Sequence, residues 1–240
     1  MFSPNGIKAI LFDLDGTLRH DRPDGSELFV EKAAALGLPV GQEDRLRGIR
    51  WEHYYWANSP ELKKDFKNFS GDGSQEFWLN YGRRHLVALG ATDGQISRLA
   101  APLHQYMAGR PRPASLLEGS AAPVLGELKR AGFKLGVVSN RELPFREEVE
   151  GLGILPHFDL LLAAGEVGSY KPEPGIFRAA LQHLGVEAQA AIYVGDNYFA
   201  DVVGSRSAGL RPVLYDPRGV YPQASCEAIQ TFQQIPGLLK

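Results

Sequence analysis

Short apolar runs alternate with helix-length amphipathic stretches through most of this chain, and that alternation restricts its fold more than any other feature. The first run is Ile7-Lys8-Ala9-Ile10-Leu11-Phe12, and three more of the same shape lie at 134–138, 158–163 and 190–194. Their length and β-branched content favour strands, each closed by polar or glycine-containing chain. A fifth run, 211–215, contains Pro212 and is expected at a sheet edge, since proline cannot donate to a ladder. Helical patterns occupy 120–131, 144–151, 174–184 and 201–208. In the first of these Val124, Leu125 and Leu128 form one stripe, with Ser120 as N-cap and Gly132 as stop. Strands alternating with helices of this length imply βαβ units and a parallel, Rossmann-like α/β sheet.

One segment breaks the alternation. Between 19 and 115 the helix-length stretches 26–36, 44–58, 75–89 and 95–107 follow one another with no strand pattern between them, and all three tryptophans, Trp51, Trp56 and Trp78, fall here. The expected organisation is an α/β core of residues 1–18 and 116–240 carrying an inserted α-helical cap domain at 19–115. Prolines in Arg110-Pro111-Arg112-Pro113 favour extended chain at the return crossing, as a hinge would. The insert holds 14 Lys and Arg against 12 Asp and Glu, whereas the core holds 12 against 16, for a chain-wide formal charge of −2. That balance excludes the basic excess needed to bind nucleic acid or coat an anionic membrane. A single cysteine, Cys226, excludes an intrachain disulfide. No apolar run reaches the ~18 residues of a membrane span, and the opening Met1-Phe2-Ser3-Pro4-Asn5-Gly6 lacks a signal-peptide pattern. These features predict a cytoplasmic protein, a monomer or weak homodimer.

Ligands of an open parallel sheet bind outside the carboxyl ends of its strands, so the residues that follow each run carry the functional information. Asp13 and Asp15 follow the first, Ser139 and Asn140 the second, Lys171 lies beyond the third, and Asp196 and Asn197 follow the fourth. Two carboxylates at i and i+2 after a buried strand repel each other unless a cation sits between them. With Asp196 the donor set is hard oxygen, which suits Mg²⁺ sharing its shell with a phosphate. A metal, a lysine, a serine hydroxyl and a carboxylate able to attack together suit phosphoryl transfer. The chain under Lys171 is stiffened by Pro172 and by Pro174 at a helix start.

These residues carry a family resemblance. Asp13-Leu14-Asp15-Gly16-Thr17 resembles the first motif of the haloacid dehalogenase superfamily, and Ser139-Asn140 its second. Gly165-Glu166-Val167-Gly168-Ser169-Tyr170-Lys171-Pro172 resembles the third. Gly195-Asp196-Asn197 with Asp201 resembles the fourth. A helical cap between the first and second motifs is the layout of one subfamily. The resemblance implies an aspartyl-phosphate formed on Asp13, with Asp15 protonating the leaving oxygen and then activating water. It implies Mg²⁺ held by Asp13, the Asp15 backbone carbonyl and Asp196, with Asp201 holding the metal's waters or orienting Lys171. Phosphate oxygens would meet Ser139, Lys171 and the turn after Asp13, with Thr17 and Asn140 as further substrate-binding candidates. The implied activity is a Mg²⁺-dependent phosphatase acting on a small phosphorylated molecule.

The superfamily holds other reactions. Dehalogenases resembling this fold usually lack the second carboxylate, so Asp15 argues against that chemistry. A sugar-phosphate mutase of the beta-phosphoglucomutase type keeps Asp15 but needs a second phosphate site in the cap, where no residue can be assigned to it. A non-catalytic binding module would be expected to have lost one of the four motifs. Outside them, Arg19, His20, Asp21 and Arg22 read as a solvated polar loop. Trp51, Tyr54 and Tyr55 share a helix face and read as packing for the cap's own interior. Arg141 stands where it can either touch the leaving group or line the rim.

Overall fold

The structure, a computed structural model, describes residues 6–239; the first five residues, part of the leader reading, lie outside that range. The elements run β1 (Ala9–Phe12), β2 (Arg19–Arg22), α1 (Gly25–Ala35), α2 (Gln42–Trp56), α3 (Pro60–Phe69), α4 (Gln75–Ala88) and α5 (Asp93–Ala108), then β3 (Ala114–Leu117), α6 (Ala121–Arg130), β4 (Lys134–Ser139) and α7 (Arg146–Gly151). There follow β5 (Leu160–Ala163), α8 (Ala164–Val167), α9 (Pro174–Leu184), β6 (Ala191–Gly195), α10 (Gly204–Ser207), β7 (Arg211–Tyr215) and β8 (Glu227–Ile229). The chain divides into two compact units: one comprises the chain up to His20 and from Ser115 onward, the other Asp21–Ala114.

The first unit is an α/β layer built on a six-stranded sheet of order β5-β4-β1-β6-β7-β8, every pairing parallel. Period-two alternation divides its strands between two cores. Ile10, Phe12, Leu135, Val137, Ile192 and Val194 face one, under Val124, Leu125 and Leu128 of α6. Ala9, Leu11, Val138, Ala191 and Tyr193 face the other, under Ile176, Phe177, Ala180 and Leu181 of α9. Both faces are covered, which is why these strands read as nearly continuous apolar runs. Phe12, the last residue of β1, registers with Val137 of β4 and with Val194 of β6, so the carboxyl ends of these three strands lie within two residues of one another.

Several details depart from expectation. The proline-bearing strand β7 is internal: β8 pairs beyond it, with Val213–Tyr215 only, so Pro212 stands before that ladder begins. Short strands do occur at the rims of the inserted segment, where β2 and β3 pair as a separate two-stranded sheet. Ser120 occupies the N-cap of α6 without a capping bond. Its hydroxyl donates to Glu118 and accepts from the Phe232 amide. The expected helix at 201–208 begins earlier, as a π-helical turn, Tyr198–Val203, that continues into α10.

The second unit consists of α1 to α5. Side chains of Asp24, Ser59, Ser74 and Thr92 cap α1, α3, α4 and α5 by accepting from first-turn amides. Helix α3 had no sequence counterpart; it buries Leu62 against Tyr55 and Phe77, and beside it the charged Asp65, which accepts from the Tyr55 hydroxyl at 3.0 Å and from Arg84. Trp51, Trp56 and Tyr81 pack with buried Tyr55 and Phe77, while Tyr54 is exposed and donates to Glu61. No helix among the described residues is long and apolar enough to cross a membrane.

Candidate active site

The first strand delivers Asp13 at its carboxyl end, where the Asp13 amide still donates to the Val194 carbonyl at 2.9 Å. The chain then turns sharply through Gly16, whose φ of +88° belongs to the left-handed region that glycine alone enters freely. A Cβ on Gly16 would lie 2.5 Å from the Asp196 carboxylate, so the absence of a side chain there is what lets Asp196 approach the turn. Gly195 does the same for Asp201, whose carboxylate would stand 2.3 Å from an added Cβ.

Carboxylate oxygens of Asp13, Asp196 and Asp201 all lie within 4.8 Å of one another. Lys171 reaches into this group from the loop before α9. Its Nζ donates to Asp13 Oδ1 at 2.6 Å, to Asp201 Oδ1 at 2.7 Å and to the Tyr193 hydroxyl at 3.0 Å. Asp13, Lys171 and Asp201 are buried. Burial pushes the Asp13 carboxyl up to about 7, against the attraction of Lys171 and reinforced by the Asp201 charge. Burial and the Asp13 charge likewise push Asp196 up to about 7. Asp201 is raised by burial too. Burial disfavours the Lys171 charge, but Asp13 and Asp201 override it and hold this lysine well above its ordinary value.

Three crowded carboxylates facing one ammonium leave excess negative charge in a poorly solvated place. The donor set is entirely hard oxygen, as Mg²⁺ requires, and its geometry fits a small cation at the cluster. Of the sequence-predicted residues, Asp13, Lys171, Asp196 and Asp201 converge directly. Ser139, buried at the end of β4, accepts from the Arg141 amide at 3.4 Å. Thr17 is fully buried, and its hydroxyl donates to Asp196 Oδ1 at 2.9 Å while accepting from the Asp196 amide at 3.0 Å. Asn140 bonds the Lys171 backbone twice, donating to its carbonyl at 2.9 Å and accepting from its amide at 2.6 Å. These two side chains therefore aim Asp196 and Lys171.

Asp15 stands outside the three-carboxylate cluster. Arg141 forks onto it, Nε to Oδ2 and a terminal nitrogen to Oδ1, both at 2.8 Å, and Arg19 donates to Oδ1 at 3.0 Å. Arg19 is thus a paired, mostly buried residue, contrary to its reading as part of a solvated loop. Sequence reasoning also missed Tyr193, which passes for an apolar strand residue. Its hydroxyl accepts from Lys171 and donates to the Val138 carbonyl at 2.9 Å.

Comparisons with known proteins agree with this geometry. Residues 7–209 match the family described as haloacid dehalogenase-like hydrolase. The chain is similar to haloacid dehalogenase-like hydrolase domain-containing protein 3 of Bos taurus, 33% identical over 87% of this chain and 81% of that protein. It is 31% identical to a phosphoserine phosphatase of Thermus thermophilus over 90% of this chain and 91% of that one. Among solved structures, a 2-haloacid dehalogenase from Pseudomonas syringae pv. Tomato superposes with a TM-score of 0.55 at 28% identity, covering 97% of this chain and 98% of that one.

Proposed function

The chain belongs to the haloacid dehalogenase-like hydrolases, and from that membership we propose that it is a Mg²⁺-dependent phosphatase cleaving a small-molecule phosphate monoester. The observation that carries the reading is the pairing of Asp13, buried against Lys171, with a second carboxylate, Asp15, two residues on. A halide leaves without a proton, but an alkoxide does not leave readily without one, so a carboxyl beside the nucleophile suits an oxygen leaving group. The similarity to a phosphoserine phosphatase supports the same class.

In this reading the Asp13 carboxylate attacks phosphorus, and Asp15 protonates the departing oxygen. Asp15 then takes a proton from the water that opens the aspartyl-phosphate. Lys171 and Ser139 hold phosphate oxygens. Thr17 and Asn140 act by fixing Asp196 and Lys171, while the insert Asp21–Ala114 serves as the cap. Asp13, Asp196, Asp201 and the Asp15 carbonyl would hold Mg²⁺. When bound, the metal supplies charge neutralisation and polarises the phosphate. Hydrolysis of p-nitrophenyl phosphate tests the reading. Turnover is expected only with millimolar Mg²⁺, and Asp13→Asn should lower it by about 10³-fold or more. Metal-independent turnover, or full activity in Asp13→Asn, would sink it.

A further inference from the structure

An ammonium has three protons to donate, and Lys171 uses all three inside the cluster. Two go to Asp13 Oδ1 and Asp201 Oδ1, at 2.6 and 2.7 Å, and the third to the Tyr193 hydroxyl at 3.0 Å. Two bonds alone leave Nζ free to swing about the line joining the two carboxylate oxygens, and a third acceptor stops that swing. A carboxylate in the third place would add to the excess negative charge of the site, whereas a hydroxyl adds none. The Tyr193 hydroxyl is also turned the right way. Its own proton goes to the Val138 carbonyl at 2.9 Å, so a lone pair faces Lys171.

That carbonyl belongs to β4, and β1 lies between β4 and β6 in the sheet. Tyr193 stands in register with Leu11 of β1, and its side chain reaches past that strand to the residue before Ser139. Its ring is buried, with the Phe177 ring of α9 edge-on at 5.0 Å. A Cβ on Gly204 would stand 2.8 Å from both the Phe177 ring and the Pro172 Cα, so α10 seats directly against the ring that backs Tyr193. Asn140, the residue after Ser139, holds the Lys171 backbone by two bonds. The end of β4 and Lys171 are thus joined twice, at the backbone by Asn140 and at the ammonium by Tyr193. We propose that Tyr193 is a positioning residue that fixes the Lys171 ammonium relative to Ser139 and so sets the seat of the transferred phosphoryl group. The inference deepens the phosphatase reading and rests on it, since Lys171 and Ser139 are there the groups that hold phosphate oxygens. The hydroxyl itself touches neither phosphate nor metal in this role; it acts only through Lys171.

A double-mutant cycle with Lys171 tests this, run at millimolar Mg²⁺ on dinitrophenyl phosphate, a reactive ester that keeps slow variants measurable. Tyr193→Phe keeps the ring against Phe177 and removes only the hydroxyl. It is expected to lower kcat/KM by about 10–100-fold, the scale of loss when a catalytic group is displaced by a fraction of its own size. In a Lys171→Met background the same substitution should change kcat/KM by less than about twofold, because no ammonium is left to aim. A hydroxyl with a merely structural role would lower activity by the same factor in both backgrounds. Tyr193→Met also lacks the hydroxyl but fills the space with a flexible chain, and it goes through the same cycle, so the result does not hang on the folding of one variant. Thermal melting gives the folded fraction in each assay. Wild-type activity in Tyr193→Phe, or an equal loss in both backgrounds, would overturn the proposal. Full activity in Lys171→Met would be a failure of the phosphoryl-transfer reading itself, and would take the positioning role with it.

Discussion

The Thr17 hydroxyl is one of the groups that direct Asp196. Thr17 donates to its carboxylate and accepts from its amide, a two-way tie between the first and fourth motifs across 179 positions of sequence. Groups that orient a metal ligand are typically worth 10–100-fold in affinity. Thr17→Val, which keeps the shape and removes the hydroxyl, should raise the Mg²⁺ concentration for half-maximal activity by about 10–100-fold, read from a metal titration. An unchanged midpoint would mean that the Thr17 hydroxyl does not orient Asp196 for the metal. The acidic residues themselves were legible, since carboxylates at the ends of apolar runs have no packing explanation. Their supporting residues were not: Thr17 and Asn140 read equally well as substrate contacts, and Tyr193 reads as ordinary strand. Only distances reveal that Tyr193 bridges Lys171 and the Val138 carbonyl.

Helix α4 shows what an element adds to a residue. His85 is buried on it, stacked 4.6 Å from the Phe29 ring and 5.3 Å from that of Trp51, with Tyr81 also against it. Glu52 lies 3.7 Å from its Nδ1, yet neither imidazole nitrogen has a hydrogen-bond partner. Burial lowers its pKa below the ordinary 6.5, more than the Glu52 charge raises it. Below pH 6.5 the unfolded chain therefore takes up a proton before the folded one. Stability contributed by neutral His85 is complete above that value and is lost as pH falls below it, through the lowered pKa of the folded chain. Urea unfolding between pH 7.5 and 5 should show this loss, and His85→Phe should flatten the part due to this residue. An equal slope in the variant would assign the effect elsewhere. Apolar periodicity located four of the five helices of this unit. It missed α3, which buries Leu62 but also the charged Asp65. It also failed at β8, which is three residues long and buries only Ile229.

At the scale of the molecule, the acidic excess of the core acquires a place. Asp13, Asp196 and Asp201 are folded into one cluster against a single lysine, and their mutual repulsion opposes folding until a cation joins them. Mg²⁺ at about 100 times its dissociation constant should raise the melting temperature by roughly 5–10 °C. Asp196→Asn should reduce the shift, and no shift in the wild-type chain would count against the site. The sequence by itself determined the α/β class, the helical insert and the order in which four strand ends present acidic, hydroxyl and amino groups. Local periodicity and turn chemistry encode these, and both are read within a few residues. Tertiary structure decided which of those groups meet. Thr17 aims Asp196, Arg141 holds Asp15 across 126 positions, and an internal strand carries the proline. Such pairings depend on sheet register and strand order, which bring distant residues together without leaving a mark on the sequence around either one.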